Sequence, residues 1–199
     1  MEIWKSMWDS YDLTDPSSTP WETKEADEKL VDIVKGRKFN TAIDVGCAVG
    51  TNANWLQKQG IQTVGIDISE KAISIAKTIN QEVEWVCGNF VSNDVLVDKE
   101  FDLVFDRGCF HGYTIPYSHF FVNKVSKILT SDGIWISIVG ANRSDVVQFG
   151  PPRKTATEII SVVEEYLEIV ELSQCSISLF NGNKAPAWCL VSKKPSSMV

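Results

Sequence analysis

Four side chains able to bind or catalyse recur along this chain at intervals of about twenty residues: Asp44, Asp67, Asn89 and Asp106. The first opens the loop Asp44-x-Gly46-x-Ala48-x-Gly50, with Cys47 between Gly46 and Ala48. Three residues with little or no side chain at alternate positions let another molecule approach the backbone closely. The residues before the loop include the β-branched Ile43 and Val45 and read as a buried parallel strand. After it, Thr51 or Asn52 is placed to cap a helix that runs through Trp55, Leu56 and Gln57 and stops at Gly60. Strand, tight loop and helix N-terminus form a nucleotide-binding turn, with an ordinary glycine-rich turn as the alternative. The spacing departs from the dinucleotide pattern G-x-G-x-x-G. A carboxylate leading the loop repels a pyrophosphate and attracts a cationic or amine-bearing ligand.

Asp67, followed by Ile68, ends a second apolar run and suits acceptance from two ribose hydroxyls, although an acid here also fits a helix N-cap. Asn89 and Phe90 close a third strand. Asp106 ends a fourth, which runs into Arg107, Gly108, Cys109, Phe110 and His111. In an open α/β sheet, ligands sit beyond the carboxyl ends of the strands, and all four residues fall at such ends. His111 is one of two histidines and a candidate base, with a loop histidine bonded to backbone as the alternative. Arg107 either attracts an anionic acceptor or pairs with a local acid.

Helices are expected over residues 22–35, from Ser69 to Ile79, from Pro116 to Leu129 and over residues 155–166. A fifth strand is expected over 134–139 after a turn at Ser131-Asp132-Gly133, and two further strands around Asn181-Gly182 signal a hairpin. The fold class is therefore α/β: a Rossmann-like, mostly parallel seven-stranded sheet with helices on both faces and a C-terminal β-hairpin. The 199 residues, 44% hydrophobic and 23% charged, suffice for one full core. Residues 1–28, rich in Trp4, Trp8, Tyr11 and Trp21, are expected to form an N-terminal lid on a domain of residues 29–199, with a segment packed on the domain surface as the alternative. Five cysteines without paired spacing read as reduced thiols in a cytoplasmic protein, not as a disulfide frame or metal site. A net charge of -7 with no basic stripe argues against nucleic acid and membrane as partners, and monomer is the default.

The glycine loop resembles the first motif of class I S-adenosylmethionine-dependent methyltransferases, D/E-x-G-x-G-x-G, with Ala48 at the middle glycine. Trp8-Asp9-Ser10-Tyr11, Pro20-Trp21-Glu22 and Asp106-Arg107-Gly108 are similar to the thiopurine, thiol and halide S-methyltransferases, and to the tellurite-resistance-type group. The resemblance implies S-adenosyl-L-methionine as cofactor and a small-molecule methyl acceptor such as a thiol or halide. It implies that Gly46, Ala48 and Gly50 pass under the methionine and ribose, that Asp44 orients the amino acid end and that Asp67 takes the ribose. By the same resemblance Asn89 and Phe90 contact adenine, Asp106 and Arg107 edge the transfer site, and Trp21 belongs to the lid. Asn89 stands where the family usually has aspartate. A non-catalytic module of the same fold is one alternative. A nicotinamide-dependent oxidoreductase is another, disfavoured by the loop spacing and by Asp44.

Overall fold

The computed structural model of the chain describes residues 21–142, 153–179 and 182–196. Trp4, Trp8, Tyr11, Asn181 and residues 143–152 lie outside them. In chain order the elements are α1 (Glu28–Lys35), β1 (Thr41–Val45), α2 (Thr51–Lys58), β2 (Gln62–Asp67), α3 (Glu70–Ile79), β3 (Glu84–Cys87) and β4 (Phe101–Arg107). A short 3-10 turn (Phe110–Gly112) follows, then α4 (Ile115–Ile128), β5 (Leu129–Gly140), α5 (Ala156–Val163), β6 (Glu168–Ser178) and β7 (Lys184–Lys193).

These strands make one seven-stranded sheet in the order β3-β2-β1-β4-β5-β7-β6. The first five are parallel, and β7 pairs antiparallel with both β5 and β6. Successive side chains of a strand point to opposite faces, and here each face has its own helices. Ile43, Val45, Val104, Trp135 and Val139 meet Phe121, Val122 and Val125 of α4 and Ile159 and Val163 of α5. Ala42, Leu103, Phe105, Ile136 and Ile138 meet Leu30 and Val34 of α1 and Leu56 of α2. The alternation sends Asp44 and Arg107 toward the α1/α2 face and Asp106 toward the α4/α5 face. The chain leaves β1 to build β2 and β3 on one side and returns to place β4 on the other. That reversal opens a crevice at the carboxyl ends of β1 and β4.

Three boundaries differ from expectation. The first helix starts at Glu28 and not at residue 22, because Asp27 is its N-cap and accepts from the Lys29 amide through its side chain. Ser131-Asp132-Gly133 is not a turn between elements. It is a bulge inside β5, between the pairs Phe101–Leu129 and Leu103–Ile134. Neither Thr51 nor Asn52 caps α2: Gly50 occupies the cap position, with φ at 86°, and its helix end is served by Asp44.

Candidate active site

The crevice is built by three backbone segments: the glycine loop after β1, the end of β2, and the turn after β4. Asp44 is 2% exposed, and its Oδ2 accepts from the Ala53 amide at 3.0 Å, which satisfies a donor of the first turn of α2. Burial pushes its carboxyl up to about 8, with neighbouring Asp106, Glu22 and Asp67 adding to the rise. Asp67 bridges the crevice: Oδ2 accepts from the Ala48 amide at 3.0 Å and Oδ1 from the Ser69 amide at 2.9 Å. The first of these bonds fixes Ala48 in a left-handed conformation, φ 52°, that glycine would adopt more readily. Burial raises the Asp67 carboxyl as well, and the backbone donors oppose the rise.

Two of the loop glycines are required by protein side chains. A Cβ on Gly50 would lie 2.2 Å from the Trp85 ring, and one on Gly46 would lie 2.9 Å from Cβ and Sγ of Cys109. Trp85 of β3 is held by its indole nitrogen, which donates to the Asn80 carbonyl, and its ring covers both Gly65 and Gly50. Alternating small residues in the sequence pointed to ligand approach. The structure shows that the absent side chains of Gly46 and Gly50 make room for Cys109 and Trp85, neither of which the spacing could reveal.

Several expected roles are corrected. Asp106 is fully buried, with Oδ1 accepting from the Cys109 and Phe110 amides and Oδ2 from the Trp135 indole. It braces the turn after β4 and cannot touch a reacting atom. Arg107 takes the pairing alternative: Nε donates to Asp27 Oδ2 at 3.1 Å, Nη1 to the Trp21 carbonyl and Nη2 to the Ser178 carbonyl. His111 is 5% exposed, and its Nδ1 accepts from the Gly140 amide at 2.7 Å. Its neutral imidazole therefore carries the proton on Nε2 and has no lone pair left for a base. Burial, with Lys154, Arg153 and Arg107 nearby, lowers it to about 4. Phe90 and Phe110 are core residues. Phe90 packs on Phe121 at 4.9 Å and Phe110 against Trp135 at 5.2 Å, so neither ring reaches an adenine or an acceptor. Asn89 is a turn residue whose Oδ1 accepts from the Val91 amide.

Three further residues matter that sequence reasoning did not assign to the site. The peptide around Glu22 is tied at both ends: Trp21 to Arg107, and the Thr23 carbonyl to the Thr51 hydroxyl at 3.2 Å. Asn52 Oδ1 accepts from the Asp27 amide, fastening the same segment to α2. Lys154 is 3% exposed and donates to the Tyr113 carbonyl at 2.7 Å and to Ser118 Oγ at 2.9 Å, with its ammonium 5.1 Å from the centre of the Phe110 ring. Cys109 lies against the loop, its thiol pushed well up by burial and by Asp106, Asp67 and Asp44. Of these, only the Pro20-Trp21-Glu22 motif left a trace in the sequence.

The crevice is thus lined by carboxylates: Glu22, Asp44 and Asp67, with Asp106 below. That set of acceptors fits a ligand with a positively charged centre and ribose hydroxyls. Residues 43–137 match the methyltransferase domain family. The chain carries a class I, S-adenosylmethionine-dependent methyltransferase domain. A protein of Schizosaccharomyces pombe described as an uncharacterized methyltransferase is 38% identical over 98 residues, covering 42% of this chain and 66% of that protein. The chain spans between 53% and 66% of the length of the first curated relatives it matches. Among solved structures, one from a study of the conversion of a disulfide bond into a thioacetal group during echinomycin biosynthesis aligns with a TM-score of 0.82. It has 16% identity and covers 99% of this chain and 94% of that one. TehB from Haemophilus influenzae aligns with a TM-score of 0.73, at 16% identity, covering 87% of this chain and 64% of that one. Among the described residues no helix is long and apolar enough to cross a membrane, and no cluster of metal ligands occurs.

The carboxylates make the domain's stability depend on pH. Glu22 is raised to about 7 and Asp44 to about 8, chiefly by burial, so the folded protein holds protons that an unfolded carboxylate has already released. Stability from such raised groups is fully present below the unfolded pKa and is lost as pH climbs through the folded one. His111 is shifted the opposite way, but its effect is complete by about pH 6.5. Between pH 6.5 and 8.5 the ligand-free protein should therefore lose on the order of 2 kcal/mol, or roughly 4–8 °C in Tm. A melting temperature constant or rising over that range would contradict this.

Proposed function

We propose that this methyltransferase moves the methyl group of S-adenosylmethionine to a small acceptor that arrives as an anion or ionises readily, a thiol or halide in the first instance. The observation that carries the acceptor class is the state of His111. The one imidazole beside the crevice accepts from Gly140 through Nδ1 and keeps its proton on Nε2. Asp106 is wholly engaged by the turn it braces. A thiolate or halide needs no proton removed, so these occupied groups are no handicap to it. The likeness of fold to a protein studied in sulfur chemistry of echinomycin biosynthesis supports the same class.

The cofactor supplies an already activated methyl group when bound, so the protein's task is positioning. Asp67, besides holding Ala48 and Ser69, retains lone pairs for ribose hydroxyls. The glycine loop offers backbone at close range, and the 110–113 turn, fixed by Asp106 and Lys154, sets the acceptor side. His111 Nε2–H and the Tyr113 hydroxyl are the donors that orient an anionic acceptor there.

Two measurements test this. Incubation with S-adenosylmethionine and a panel of thiols, halides, amines and alcohols should give S-adenosylhomocysteine fastest with the first two, with rates that follow the acceptor's ionised fraction. Preference for amines or alcohols would sink the acceptor assignment. Asp67→Ala should weaken S-adenosylhomocysteine binding at least tenfold while unfolding remains cooperative. Unchanged affinity would remove the ribose role.

A further inference from the structure

Residues 21–23 cross the crevice as a strap. At one end the Trp21 carbonyl is held by Arg107, the last residue of β4. At the other the Thr23 carbonyl is held by Thr51, the first residue of α2 after the glycine loop. Glu22 lies between these anchors, half-buried, within electrostatic reach of Asp67, Asp44 and Cys47. Arg107 is close enough to favour the Glu22 charge, yet three of its five N–H donors go to Asp27, Trp21 and Ser178 and none to Glu22. Asp44 and Asp67 are each committed to backbone amides. Among the described residues the Glu22 carboxylate has no hydrogen-bond partner. It is an acid strapped over a crevice that already holds two others, an arrangement that costs stability unless a cation enters.

We propose that Glu22 is the residue by which the site distinguishes the methyl donor from its product: its carboxylate faces the sulfonium, so the strap holds S-adenosylmethionine and releases S-adenosylhomocysteine. The inference rests on the reading of the crevice as the cofactor site. In the transfer the acceptor's electron pair forms the new bond to the methyl carbon. The carbon–sulfur bond breaks toward sulfur, and the sulfonium becomes a neutral thioether. The positive charge opposite Glu22 disappears while adenosine and the amino acid remain. Donor affinity therefore carries an attraction that product affinity lacks. Burial of the site, which keeps water from screening the pair, enlarges the difference.

The experiment is calorimetric titration of the full chain at pH 8 with S-adenosylmethionine and, separately, with S-adenosylhomocysteine, for the natural protein and for Glu22→Gln and Glu22→Asp. Glu22→Gln should weaken S-adenosylmethionine about tenfold and S-adenosylhomocysteine by less than twofold, and Glu22→Asp should recover most of the loss. The ligand-free Glu22→Gln protein should also melt higher than the natural one at this pH, because the cost of burying an ionised Glu22, the largest influence on that carboxyl, is gone together with its repulsion with Asp67. A residue with a merely structural role would show a lower melting temperature and parallel losses for both ligands. Equal weakening of the two ligands, or an unchanged donor affinity, overturns the proposal. Failure of the natural protein to bind either ligand overturns the cofactor reading itself and this inference with it.

Discussion

Arg107→Met should lower the stability of the protein by about 3–5 kcal/mol. The guanidinium and the Asp27 carboxylate are both largely covered, with side chains 10% and 7% exposed. Removing the cation leaves an uncompensated charge at the start of α1, as well as two carbonyls, of Trp21 and Ser178, that lose their donor. Urea denaturation should show a large fall in midpoint with little change in slope, as for a loss of stability without a change in surface exposed. Asp27→Asn in the same chain should recover part of the loss, because the stranded charge then disappears. The substitution also frees one end of the strap that carries Glu22. Affinity for S-adenosylmethionine should therefore fall more than stability alone accounts for under conditions where the variant is still folded. A change of less than 1 kcal/mol would mean that the buried ion pair is a bystander.

Gly65→Ala is the second large effect. Gly65 sits in the middle of β2, directly opposite Trp85 of β3, and a Cβ there would lie 2.4 Å from Cζ3 and 2.6 Å from Cε3 of the indole. The ring cannot simply swing away, since its nitrogen is tied to the Asn80 carbonyl and its far edge rests on Gly50. Overpacking of this kind costs roughly 1–3 kcal/mol, and here the upper end is expected because the displaced side chain is rigid. The diagnostic is a double-mutant cycle. Trp85→Leu removes the obstacle, so Gly65→Ala should cost at least 1 kcal/mol less in the Trp85→Leu background than in the natural one. Additive effects would show that the clash is relieved by the backbone and not by the ring.

The arrangement of β1, β2 and β4 was legible in the sequence because each strand is short, apolar and closed by a turn residue, and that of the hairpin because Asn181-Gly182 is turn chemistry between two strand-like runs. The placing of Asp44, Asp67 and Asp106 at strand ends followed from that. What each acid does there was not legible. Whether a carboxylate faces a ligand or a backbone amide depends on which neighbouring segment brings its N–H groups within 3 Å. For Asp106 those are the residues three and four positions on, together with Trp135 from another strand. Phe90 is no ligand contact for a related reason. An aromatic just past a strand end can turn inward when α4 offers Phe121 to pack on. The bulge in β5 is not legible because Ser131-Asp132-Gly133 is equally good turn chemistry within a strand or between elements. Glu22 stood in a motif that had been noted for its tryptophan, and only the two anchors on either side of it reveal where it lies.

The position of β7 bears on how the chain acquires its shape as it is synthesised. In sequence β6 precedes β7, yet in the sheet β7 lies between β5 and β6. When β6 leaves the ribosome, β7, with which it pairs in the sheet, has not yet been made. The parallel strands can assemble earlier, but until β7 arrives the β5 edge stays open, with Ile134, Ile136 and Ile138 on its face incompletely covered. Such an edge invites pairing with another chain. The late arrival of one strand then closes β5 and recruits β6 in a single event, which makes the final quarter of the sequence the step on which a clean first folding of this protein depends.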